Sequence, residues 1–154
     1  MTTTPTTHPT TSPTSRTSSP GANASDASVS AGDQLTVVAW RDAVVEQTPG
    51  AIPTGSDEAL VWYLPIVGSI GTVMAHRFAH YAADGSSIWT IEDIARTFGM
   101  GGSTQRVLRT FERLERFGII HREQATVAVR LWLPPLTYRQ RCQLPAYLAA
   151  AYAR

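Results

Sequence analysis

The chain has 154 residues, 43% of them apolar, and a formal net charge of +1. That length holds one domain with extensions, and a near-neutral total by itself points to no polyanionic partner. The single cysteine, Cys142, excludes a disulfide framework within the chain and any multi-cysteine zinc site.

The total conceals three blocks. Residues 1–34 carry one arginine against two aspartates. Residues 35–95 carry two arginines against seven acids, a net of −5, and residues 96–154 carry ten arginines against three glutamates, a net of +7. Every cation is an arginine, whose guanidinium fork suits phosphate oxygens and guanine edges.

In chain order, residues 1–34 contain nine Thr, seven Ser and four Pro. Such a segment buries too little apolar surface to offset its chain entropy, so a disordered tail is expected. It has no apolar run after a basic start, so it is not a secretory signal, and the expected location is cytoplasmic and nucleoid-associated. Residues 35–68 are expected to form a flank that packs on the domain. Within it, Leu35, Val37, Val38, Trp40, Val44 and Val45 fit a helix or a strand equally well, and Thr48-Pro49-Gly50 and Pro53-Thr54-Gly55 mark loops. Ser56 or Asp57 can cap a short helix through Tyr63, ended by Pro65 and Gly68. Residues 59–75 are uncharged, but Pro65, Gly68, Ser69, Gly71 and Thr72 make this a buried core rather than a membrane span.

A helix is expected from Ser69 to Ala83, broken by Asp84-Gly85. Thr90 then heads a helix over 90–98, with Asp93 in the place of the usual capping-box glutamate and Gly99 as the stop. Ser103 opens a third helix that lasts to Gly118. From there the period becomes two. Val127, Val129, Leu131 and Leu133 share one face of a strand, and residues 119–123 pair with it through a tight turn at Gln124-Ala125. Pro134-Pro135 ends the hairpin. Residues from Thr137 are helical, interrupted at Leu144-Pro145. The apolar last helix suits either an interface or packing on its own domain.

On a helical wheel the third helix places Arg106, Arg109, Arg113 and Arg116 on one stripe about 80° wide. Val107, Leu108, Phe111, Leu114 and Gly118 mark the opposite face. Glu112 and Glu115 lie at the boundary, within reach of arginines three or four residues away. One face packs and the other presents arginine.

The run Ile94-Ala95-x-x-Phe98-Gly99-Met100 resembles the first half of a helix-turn-helix, where a small residue lets two helices approach and a glycine permits the sharp turn. A β-hairpin directly after the second helix is the mark of the winged variety. Residues 69–133 therefore resemble the winged helix-turn-helix superfamily of DNA-binding proteins, with 113–120 resembling the passage from recognition helix to wing. Gly101-Gly102 depart from the compact pattern and lengthen the turn. The flanks, residues 62–68 and 133–136, resemble small actinobacterial regulator-like proteins of this kind.

The resemblance implies a mainly α fold with a small β-hairpin: a winged helix-turn-helix domain over 69–133, the disordered tail, and a C-terminal helical extension over 134–154. It implies a transcriptional regulator, not an enzyme, with helix 103–117 in the major groove of double-stranded DNA. Ser103, Thr104, Gln105, Arg106 and Arg109 would approach bases and nearby phosphates, and Arg113 and Arg116 the backbone. At the wing, Arg122, Gln124, Thr126 and Arg130 would meet flanking phosphates or the minor groove. Neutralising about five phosphates gives a log–log salt slope of about −4 to −5. A homodimer on paired half-sites fits such proteins. The alternative is a protein-interaction module on the same fold, docking through the acidic block or the last helix.

No cofactor or metal is expected. His76 and His80 have the i, i+4 spacing of a metal pair but no third ligand. Cys142 has no partner motif, and Trp40, Trp62, Trp89 and Trp132 read as core.

Overall fold

The computed structural model describes residues 1 and 32–152. About half of the residues described are helical, in seven helices, and the strands form a four-stranded sheet and a two-stranded ribbon. Of the tail expected over residues 1–34, residues 2–31 lie outside the described residues.

The segment that fits both helix and strand is both. β1 (Gln34–Trp40) is followed by a one-turn α1 (Ala43–Glu46), whose N-cap Asp42 accepts from the Val44 and Val45 amides. β-branched residues at Thr36, Val37 and Val38 favour the pleat. β1 is not peripheral. With β3 at Ser87–Thr90, β4 at Ile120–Glu123 and β5 at Thr126–Arg130, the sheet order is β3-β1-β5-β4, so the flank supplies an interior strand. β3 (Ser87–Thr90) pairs with it antiparallel, and β5 (Thr126–Arg130) pairs with it in parallel. Residues 87–90, expected only as the approach to a helix, are this edge strand. β2 (Ile52–Pro53) and β6 (Trp132–Leu133) make the separate ribbon.

α2 (Asp57–Val67) starts at Ser56, whose Oγ accepts from the Ala59 amide. It runs past Pro65 to Val67 rather than ending there. The carbonyl that proline leaves without a donor belongs to Val61, an exposed residue, so water can reach it. Tyr63 donates from its hydroxyl to the Pro134 carbonyl, tying α2 to the chain beyond the sheet, and burial pushes this phenol well above its ordinary pKa. α3 (Ser69–Ala83) has the expected bounds. The uncharged stretch 59–75 is thus split between two helices at Gly68. Among the described residues no helix is long and apolar enough to cross a membrane.

α3 is the central helix. Its Phe78 is fully buried, with ring centroids of Trp89, Phe98 and Phe111 at 5.7, 5.8 and 6.4 Å. Gly71 lets it approach α5 (Thr104–Arg116): a Cβ there would stand 3.1 Å from Val67 and 3.5 Å from Leu114.

α4 (Ile91–Thr97) is capped by Thr90, which accepts from the Asp93 amide at 3.0 Å. The reciprocal half of the expected box is changed, because the Thr90 hydroxyl donates to the Asp93 carboxylate at 2.7 Å. α4 and α5 end in the same way. Gly99 (φ 68°) and Gly118 (φ 65°) take the left-handed conformation, and the next residue's amide returns to the helix, Met100 to Ala95 at 2.7 Å and Ile119 to Leu114 at 2.9 Å. Each motif drops an apolar side chain, Met100 or Ile119, into the core.

β4 (Ile120–Glu123) and β5 form the expected hairpin, turning at Gln124 with φ 51°. Beyond the ribbon, α6 (Tyr138–Arg141) carries a full capping box between Thr137 and Gln140. α7 (Ala146–Tyr152) packs on its own domain: Tyr152 accepts from the Leu136 amide and meets the Trp62 ring at 5.0 Å.

Candidate nucleic-acid interface

α5 builds the site. Val107, Phe111 and Leu114 are fully buried against α3, α4 and the sheet, as the wheel requires. Ser103 starts the helix, its Oγ accepting from the Arg106 amide at 3.4 Å, so this hydroxyl is a cap before it is anything else. Thr104 is half-buried and Gln105 exposed beside it. Arg106, Arg109 and Arg116 are exposed, and among the described residues none of them makes an ion pair. The helical rise spreads the three over about 15 Å. Arg113, on the same stripe, donates to the Ile66 carbonyl at 3.2 Å, which pins its guanidinium against the end of α2.

The turn before α5 is built for mobility in sequence but is anchored in space. Gly101 and Gly102 both have positive φ, while Met100 just before them is buried. The loop therefore lengthens the turn without releasing α4, whose small Ala95 is fully buried.

The expected boundary pairs within α5 do not form. Glu115 instead crosses to β4, accepting from the Arg122 guanidinium at 2.7 Å and from its backbone amide at 3.2 Å. Arg122 pairs across the hairpin with Val127, so it shares the buried face of the sheet and lies over the Phe111 ring at 5.7 Å. Arg122 is thus a strut between helix and hairpin, not a free wing contact.

Arg130 is committed further still. Its side chain is 15% exposed, pairs with Asp42 at 3.1 Å and stacks over Trp40 at 4.0 Å. Of the expected wing contacts, Gln124 stays exposed at the tip and Thr126 is half-buried beside it. The tip also exposes Glu123, which opposes a phosphate.

No protein-family model, no curated protein and no solved structure matches the chain.

The acidic block explains itself locally. Asp42 caps α1, and Asp57, Glu58, Glu92 and Asp93 stand in the first turns of α2 and α4, where a helix dipole favours negative charge. Arg116 stands in the last turn of α5, where the dipole favours a cation, but the basic block has no such use for Arg106 and Arg109.

His76 and His80 stack edge to face at 4.9 Å, with a Cβ at Gly55 lying 3.3 Å from His80. Burial, and next the neighbouring His80, hold the His76 imidazole below its ordinary pKa. Among the described residues no three His, Cys, Asp or Glu side chains group as a metal would require.

Proposed function

We propose that the chain is a DNA-binding protein of the winged helix-turn-helix kind, a transcriptional regulator that lays α5 in the major groove of duplex DNA. The observation that carries this reading is the arginine stripe. Three exposed guanidinium groups without an ion pair among the described residues lie on one face of one helix, while the other arginines nearest the hairpin hold internal partners. A helix about 10–12 Å in diameter fits a groove about 12 Å wide. The setting supports it: a helix, a glycine turn, the striped helix and a hairpin follow one another directly.

The wing contributes less than the arginine count suggests. With Arg122 and Arg130 engaged internally, about three or four phosphates remain to be neutralised, and the salt slope falls to about −3. Fluorescence anisotropy on random duplex at two salt concentrations tests this. Arg106→Ala with Arg109→Ala is expected to weaken binding and to lower the slope by about 2. Equal affinity and slope in the double variant would sink the assignment of α5.

One observation favours the interaction-module reading. Ile70, Val73 and Phe98 line a groove with Arg77 between α3 and α4, and Ile70 and Val73 are exposed. A duplex titration with no salt-dependent binding moves the assignment to that surface.

A further inference from the structure

The seam between the start of α2 and the end of α7 holds a cleft of about 300 Å³, lined by Gly50, Ile52, Glu58, Trp62, Ala151 and Tyr152. Local bonds set its walls. Trp62 stands one turn beyond Glu58 on α2, and its indole N–H donates to the Glu58 Oε1 at 3.3 Å. Tyr152 ends α7, and its hydroxyl oxygen accepts from the Leu136 amide at 2.7 Å. The two rings meet at 5.0 Å with 81° between their planes, so they wall a corner instead of stacking flat. With the indole N–H and the phenol oxygen engaged, what the rings offer the cleft is π surface.

Glu58 supplies the only charge among the lining residues. Among the described residues it makes no ion pair, unlike Asp42 and Glu115, which hold Arg130 and Arg122. The indole fixes this carboxylate without neutralising it. A carboxylate beside two aromatic rings sorts ligands by charge and shape. It repels an anion. A bare metal ion finds too few ligands, since among the described residues no three His, Cys, Asp or Glu side chains group. An uncharged apolar molecule leaves the carboxylate unmatched. An organic ammonium group meets every wall, its charge against Glu58 and its C–H groups against the rings.

We infer that this cleft binds an organic ammonium group, with Glu58 as counter-ion and Trp62 and Tyr152 as walls. The inference does not rest on the duplex reading. α7 has no buried residue and is held through the half-buried Leu148, Ala149 and Tyr152. An occupant lying across the seam therefore fastens α7 to the domain. A free amine and a lysine side chain of a partner protein share this chemistry.

The test is an NMR titration of the full chain with choline chloride, ionic strength held constant with sodium chloride. The Trp62 indole N–H and the Ala151 amide are expected to move on one saturable curve, and amide exchange in α7 to slow at saturation. The uncharged isostere dimethylbutanol is expected to leave both signals still. Glu58→Gln keeps an acceptor for the indole and is expected to weaken the curve about tenfold. Glu112→Gln, at an exposed carboxylate on α5, matches the parent chain. A lysine amide blocked at its α-amine, run in place of choline, separates the two sources: tighter binding of the lysine amide assigns the site to a partner's side chain, and tighter binding of choline to a free amine. Still signals with both cations overturn the site. So do equal curves for choline and dimethylbutanol, or for Glu58→Gln and Glu112→Gln. None of these readouts involves DNA, so the duplex reading stands or falls apart from them.

Discussion

Arginines that look alike in the sequence divide by what lies beside them. Arg130 sits between Asp42 and the Trp40 ring, so removing it leaves a carboxylate without its partner and an uncovered indole face. Arg130→Ala is expected to cost about 1–3 kcal/mol in urea unfolding and to leave the duplex salt slope alone. Arg106→Ala should do the reverse, altering the slope with no measurable change in stability. His76 gives a second prediction at this scale. The fold holds its ring neutral below the ordinary imidazole value of about 6.5, so the unfolded chain takes up the proton first as pH falls. Stability from this group is complete above that value and is lost as pH drops toward the lowered one. His76→Gln is expected to show a smaller fall in thermal midpoint between neutral and mildly acidic pH than the parent chain. An equal fall in both would assign the effect elsewhere.

The elements most legible in the sequence were those whose signals are local. α3 and the span of α5 followed from caps, periodicity and glycine stops, and the β4–β5 turn fell at Gln124-Ala125 as expected. The arginine stripe needed only the helical period. Arg122 and Arg130 were misplaced because their surroundings come from far along the chain. Trp40 lies opposite Arg130 only because β1 runs beside β5, and nothing within residues 119–133 carries that information. β3 was missed for the same reason, since four residues become a strand only when β1 offers an edge. The twin glycine endings of α4 and α5 are testable at this scale. A Cβ at Gly118 would meet nothing within 4 Å, so Gly118→Ala isolates the backbone cost of a left-handed residue. It is expected to lower stability by about 1–2 kcal/mol by chemical denaturation.

At the scale of the molecule, the helix-turn-helix segment is not a self-sufficient unit with a flank attached. Leu35 and Val37 of β1 belong to the same buried cluster as Phe78, Phe111 and Val127. A chain begun at residue 42 parts β3 from β5 and empties the slot of Val37. Circular dichroism is expected to show no cooperative thermal transition for it, and a sharp transition equal to that of the full chain would contradict a structural role for β1. The parallel pairing of β1 with β5 also governs how the protein is made. β1 leaves the ribosome first, yet Thr36 must wait for Thr126 before its side of the ladder closes. At ~5–20 residues per second, the side of β1 that β5 fills stays open for about 5–20 s. The helices and the β1–β3 pair can form in that interval, but the sheet cannot be completed. Completion of the fold is thus a late event of synthesis, and until then β1 is a natural substrate for chaperones that hold extended apolar segments.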